Sequence, residues 1–132
     1  MFTYTTTVRF HDTDAAGIIY FANVLRIAHT AYESFLESIG SDVGKINGHS
    51  TYFFPLVHCE ADYTKPMKLG DRLQVRVSLS HLGNTSFALS YQFSNQTEAI
   101  MATAKTIHVA VNRASFTSAP LPSDLITALN KL

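Results

Sequence analysis

The chain has 132 residues, 46% hydrophobic and 15% charged, with ten basic residues against ten acidic ones. That length makes one domain, residues 1–132, able to bury a core without staples, and the balanced charge argues against a general affinity for nucleic acid or membrane surfaces. The lone cysteine, Cys59, excludes an internal disulfide framework and fits a reducing cytoplasm, and no apolar run reaches the length of a membrane span.

Met1 to Phe10 is rich in Thr and aromatic residues and reads as a strand. Apolar residues then fall at Phe21, Val24, Leu25, Ala28, Ala31, Tyr32, Phe35, Leu36 and Ile39. This spacing predicts a long helix, which Gly40 ends as a C′ glycine. Ser41 to Ser50 is a polar connection with room for one short helical turn. Thr51 to Tyr63 reads as a strand in which Pro55 must sit at an edge or bulge, and Cys59 within it as a small buried hydrophobe. Thr64 to Asp71, with Pro66 and Gly70, is a loop.

Strict alternation follows. Leu73, Val75, Val77 and Leu79 share one face of a strand, and Phe87, Leu89, Tyr91 and Phe93 share one face of the next, across a turn at Gly83-Asn84. After a second turn at Asn95 to Thr97, Ala99 to Val111 is a long strand with Ile107, Val109 and Val111 on one face. Pro120 and Pro122 lead into a short helix, Ser123 to Lys131, with Ser123 as N-cap. The order is a strand, a long helix, then four strands in an antiparallel meander. An α+β fold, with the apolar face of the sheet wrapping the helix, satisfies that order.

The chemistry concentrates between the first strand and the helix, from Arg9 to Asn23. This loop holds two carboxylates, Asp12 and Asp14, beside the small residues Ala15, Ala16 and Gly17, which let a ligand approach the backbone. The helix start at Tyr20 to Asn23 offers unpaired N–H groups and a partial positive charge. A carboxylate beside such donors can attack or activate water while the donors hold an oxyanion. The plainer reading makes the aspartates cap or turn residues. Calcium does not fit: Ala16 stands where a third ligand is needed, and Asn23 where an EF-hand loop has Glu. His11, His49, His81 and His108 lack metal-site spacing, so no metal and no cofactor is expected.

Asp12-Thr-Asp14-Ala-Ala-Gly17-Ile-Ile-Tyr-Phe, followed by Ala31-Tyr32-Glu33-Ser34-Phe35-Leu36, resembles the hotdog-fold thioesterases of the 4-hydroxybenzoyl-CoA type. The resemblance continues through Pro55-Leu56-Val57-His58, Pro66, Gly70-Asp71-Arg72-Leu73, Ile107-His108-Val109 and Ala119-Pro120-Leu121-Pro122, which is nearly the whole chain. Within the family it is greatest to the branch that acts on 1,4-dihydroxy-2-naphthoyl-CoA in phylloquinone (vitamin K1) synthesis. It implies a hotdog fold, a curved antiparallel sheet of about five strands around a central helix. It also implies hydrolysis of an aromatic acyl-CoA thioester.

In relatives of this branch the second Asp of the loop is catalytic, which is Asp14 here, as nucleophile or general base. The thioester oxygen is assigned to the backbone N–H of Phe21. His29 stands where hydroxybenzoyl relatives carry a carboxylate that meets the substrate hydroxyl, and neutral imidazole can also bond a naphthol hydroxyl. The same histidine could instead be a core residue with its bonds satisfied. Gly17 and His58 are further candidates for the pocket. Lys65, Lys68 and Arg72, around the Pro66 loop, are candidates for the CoA phosphates, although an ordinary solvated loop would carry such residues too. Some relatives grip the nucleotide with a basic run at the turn that is Gly83-Asn84-Thr85-Ser86 here, and this chain has none. The resemblance further implies a homo-oligomer, dimer or tetramer, with sites between subunits. A short-chain acyl-CoA thioesterase, a hotdog dehydratase and an acyl-CoA-binding protein are the competing readings. The six Tyr and nine Phe suit an aryl pocket and core packing equally.

Overall fold

The computed structural model describes residues 1–45 and 50–132; His49 lies outside them. The first strand, β1 (Phe2–Thr7), is shorter than Met1 to Phe10, because the chain turns at Phe10–Asp12 into a single 3-10 turn. The long helix α1 (Ala22–Ile39) ends at Gly40, whose φ of 72° is the left-handed conformation that glycine adopts without steric cost. A second 3-10 turn, Asp42–Gly44, follows.

The segment read as one strand from Thr51 is two, β2 (Tyr52–Phe53) and β3 (Leu56–Tyr63). The break falls at Phe54-Pro55, where proline has no N–H for a ladder. Then come β4 (Arg72–Leu82), β5 (Ser86–Ser94), β6 (Ile100–Val109), β7 (Val111–Asn112) and β8 (Thr117–Ser118). The helix α2 (Ser123–Leu129) closes the order; Pro122 rather than Ser123 is its N-cap, since Pro122 is still extended while its carbonyl already accepts from Ile126 N–H. The main sheet has five antiparallel strands in the order β1-β4-β5-β6-β3, and β2, β7 and β8 form a small second sheet. This is the expected α+β hotdog arrangement. Among the described residues no helix is long and apolar enough to cross a membrane.

The helix buries Val24, Ile27, Ala28, Ala31, Tyr32, Phe35 and Leu36 against the sheet, one stripe at helical spacing. Leu73, Val75 and Val77 of β4 and Phe87, Leu89, Tyr91 and Phe93 of β5 meet it. On β6, Ile107 and Val109 lie on the face turned away from the helix. The ladder pairs Phe87 with His108, Leu89 with Thr106, Tyr91 with Ala104 and Phe93 with Ala102, and directly paired residues share a face. Bulky β5 side chains thus take the core, and β6 fills the remaining space with small and polar ones.

Two of those β6 residues build a polar chain inside the core. His108 stacks against both Tyr32 (4.2 Å between centroids) and Phe87 (5.1 Å). Its Nδ1 lies 3.1 Å from the Phe54 carbonyl and its Nε2 lies 3.0 Å from Thr106 Oγ1, which in turn is 2.9 Å from Tyr91 Oη. One assignment satisfies every atom: Nδ1–H donates to Phe54, Thr106 donates to Nε2, and Tyr91 donates to Thr106. It requires neutral imidazole. Burial holds His108 down at about 4 and pushes Tyr91 up to about 12.

Cys59 corrects an expectation: it is exposed. It lies on β3, an edge strand with water on both sides along almost its whole length. Its apolar neighbours Leu56 and Val57 are open too, at 43% and 59% exposure. The apolar run around Cys59 belongs to a bare sheet edge.

His108 makes stability depend on pH. Above 6.5 it is neutral whether the chain is folded or not; from 6.5 down to about 4 only the unfolded chain binds the proton. Stability should therefore fall as pH drops through that window, by about 3 kcal/mol in full. Urea midpoints at pH 7 and pH 5 should differ less for His108→Gln than for the wild type.

Candidate active site

The two loop aspartates have opposite surroundings. Asp12 is 4% exposed. One carboxylate oxygen accepts from Arg9 N–H at 2.9 Å and the other is bonded by Arg26 of α1. Its backbone carbonyl accepts from Tyr20 N–H at 2.8 Å and from the Asn23 side-chain amide at 2.9 Å. Arg26 also donates to Asn23 at 3.1 Å, so loop and first helical turn are tied into one unit. Asp12 is therefore a structural residue.

Asp14 lies exposed in a tight turn. Its N–H donates to the Ile18 carbonyl at 2.9 Å, its carbonyl accepts from Gly17 N–H at 3.1 Å, and one carboxylate oxygen accepts from Ala16 N–H at 2.8 Å. The second carboxylate oxygen has no partner among the described residues. Gly17 has φ of 78° with nothing within 4 Å of a built Cβ, so glycine is needed for the turn itself, and its N–H is already taken.

Neither aspartate caps α1. The N-cap position is Phe21, already helical at φ −55°, ψ −36°, with no side-chain cap. Asn23 N–H turns back to the Tyr20 carbonyl, while Phe21 N–H and Ala22 N–H have no partner among the described residues. Leaving a helix start bare forgoes about 1 kcal/mol that a Ser or Asp there would contribute. The donors stay available to a ligand, at the positive end of the helix dipole.

Asp14 and Phe21 line one cavity of about 360 Å³, with Ile18, Ile19, Tyr63 and Lys65. Tyr63 Oη donates to the Phe21 carbonyl from across the cavity. The lining mixes apolar side chains with a few polar ones, the usual composition of a small-molecule site.

The other candidates are dispersed in a single chain. His29 lines a second cavity of about 220 Å³ with Tyr32, Glu33, Phe53, Phe54 and Arg113. Its Nδ1 is 3.0 Å from Glu33 Oε1, and its ring meets Tyr32 edge-on at 5.5 Å. It is no core histidine, with a side chain 53% exposed. His58 stands on the bare edge strand, 3.9 Å from Glu60. Lys68 is exposed at the loop, where its N–H is held by Asp71 at 2.8 Å. Arg72 lies in a separate groove with Gln96 and Glu98. Three or more metal-ligating side chains do not gather anywhere among the described residues. The roles of Arg26, Asn23 and Tyr63 left no mark in the sequence, because each acts on a partner that only folding brings near.

A family model for the thioesterase-like superfamily matches residues 8–129. The chain belongs to that superfamily. A 1,4-dihydroxy-2-naphthoyl-CoA hydrolase of Nostoc punctiforme is 38% identical to it over 95% of this chain and 84% of the relative. The enzyme of the same name from Rippkaea orientalis is 39% identical over 93% and 91%. The crystal structure of a 1,4-dihydroxy-2-naphthoyl-CoA thioesterase from Synechocystis superposes with a TM-score of 0.88 at 35% identity, covering 99% of this chain and 96% of that one.

The aspartates should separate in stability measurements. Asp12→Ala strands Arg26 and the half-buried Arg9 N–H and should cost about 2 kcal/mol. Asp14→Ala removes one exposed turn bond and should stay within about 0.5 kcal/mol of wild type. Thermal melts of the two variants check this.

Proposed function

We propose that this chain hydrolyses 1,4-dihydroxy-2-naphthoyl-CoA to 1,4-dihydroxy-2-naphthoate and CoA, in phylloquinone (vitamin K1) synthesis. The observation that carries the reaction is an exposed carboxylate, with one oxygen open, on the same cavity as an uncapped helix start. The names of relatives 38% and 39% identical over most of the chain supply the acyl group.

The thioester carbonyl sits with its oxygen on Phe21 N–H. As the carbon becomes tetrahedral, negative charge develops on that oxygen, and a fixed donor at a helix N-terminus stabilises it more than it stabilises the ground state. Asp14 either adds to the carbonyl carbon, expelling CoA thiolate and leaving a mixed anhydride that water cleaves, or takes a proton from the water that adds. Both routes consume one water and release one acid and one thiol.

His29 reads the acyl group. Its Nδ1–H is directed at Glu33, which leaves Nε2 as an acceptor for a naphthol O–H. In one chain this residue and Asp14 line different cavities, so the complete site needs a second copy. The eight-residue edge strand β3, with apolar side chains open to water, is the surface through which two sheets would join, and it would carry His58 into the shared site. Lys65, on the cavity wall, would meet CoA phosphate, with Lys68 farther along the same loop and Arg72, at the start of β4, reaching it from its separate groove. Gly17 leaves the loop open where the acyl-CoA enters. The proposed setting is the cytoplasm, where an exposed thiol such as Cys59 stays reduced.

Thiol release over naphthoyl, benzoyl and butyryl CoA esters tests the reading. Hydrolysis should be fastest on the hydroxylated aryl esters, and faster turnover of butyryl-CoA would overturn the substrate assignment. Asp14→Asn should lower kcat by about 10²–10⁴-fold with the melting temperature kept. His29→Ala should lower kcat/KM for the dihydroxynaphthoyl ester about tenfold while changing that for unsubstituted benzoyl-CoA far less, since only the former offers a hydroxyl.

A further inference from the structure

We infer that Tyr63 is a positioning residue for thioester hydrolysis, whose phenol holds the Phe21 carbonyl and so fixes the open N–H of the Tyr20–Phe21 peptide over the cavity that Asp14 lines. The inference rests on the thioesterase reading of the site and adds a residue to it.

What matters is which atoms of that peptide are free. Its carbonyl, on Tyr20, accepts from Asn23 N–H at 2.8 Å. The preceding unit is pinned because Tyr20 N–H donates to the Asp12 carbonyl at 2.8 Å. The following unit is pinned because the Phe21 carbonyl, which as N-cap accepts the first intrahelical bond of α1, also accepts from Tyr63 Oη, with Val24 N–H 3.4 Å from the same carbonyl. Held on both sides and through its own carbonyl, the Tyr20–Phe21 peptide has one polar atom left over, the Phe21 N–H.

The two clamps come from different parts of the chain. Asp12 belongs to the loop itself. Tyr63 is the last residue of β3, 42 positions beyond Phe21, so its bond ties the helix start to the opposite wall of the cavity. That wall continues through Lys65, Pro66 and Met67, and the Met67 carbonyl takes Ile19 N–H at 2.8 Å. A phenol suits this role, because burial raises the Tyr63 hydroxyl above its ordinary value and it remains a donor throughout the neutral range.

An oxyanion donor is effective only when already placed, because rotation of the peptide during the reaction returns the reorganisation cost to the barrier. Loss of the Tyr63 hydroxyl should therefore be felt in the transition state and little in substrate binding. The deciding variant is Tyr63→Phe, which keeps the ring and removes one oxygen, assayed by thiol release on the preferred aryl-CoA ester. We expect kcat to fall about tenfold with KM within about threefold of wild type. Unchanged kcat, or a loss carried by KM, overturns the inference. If the wild-type chain releases no thiol from any ester, the thioesterase reading fails on its own. Hydrogen exchange then decides the clamp: faster exchange at Asn23 and Val24 in Tyr63→Phe supports it, and identical exchange overturns it.

Discussion

The buried carboxylate of Asp12 is the constraint on which the site depends. It receives a backbone N–H from Arg9 and the guanidinium of Arg26, while its own carbonyl holds Tyr20 and Asn23. A carboxylate so far out of water is tolerable only with its partners in place, which makes the arrangement close to all-or-none. The loop cannot lift from the first turn of α1 without exposing that charge unpaired. Two residues on, the Asp14 carboxylate is left in solvent with one backbone N–H, that of Ala16. The division of labour between the two aspartates follows from which of them reaches Arg26.

The helix supplies both the frame and the reactive end. Its apolar stripe sits against the β4 and β5 side chains, and alanines at 28 and 31 on the helix and at 102 and 104 on β6 leave room for close approach. That packing determines where the helix begins relative to the loop after β3. The N-terminus is then left without a side-chain cap, at a modest cost in stability. The core offsets such costs through the neutral chain from Phe54 through His108 and Thr106 to Tyr91, which joins β5, β6 and the segment before β3 without an unsatisfied polar atom among the described residues.

Much of this is legible in the sequence, and the legible parts share a cause. The helix from Phe21 to Gly40, the alternation in β4 and β5 and the turns between them depend on neighbours a few residues apart, and local spacing records them. The aspartate loop stands out because small residues and carboxylates crowd before a helix start. Where sequence and structure part, the partners lie far along the chain. Cys59 reads as buried and is exposed, because a strand-like apolar run does not reveal whether anything covers the strand. The β6 face bearing Ile107 and Val109 is turned away from the helix because its register with the aromatic face of β5 overrides its own hydropathy.

The amino-acid order by itself determined the long helix, the strands of the main sheet and the presence of a carboxylate beside a helix start, since these are short-range consequences of side-chain size, polarity and backbone freedom; the small second sheet of β2, β7 and β8 was left to long-range pairing. Only the tertiary structure decided which aspartate is structural and which stands open. It also decided that the helix start is uncapped, and that Tyr63 reaches it from the far wall. Those outcomes turn on bonds between residues as much as 42 positions apart, whose geometry exists only once the sheet has closed over the helix.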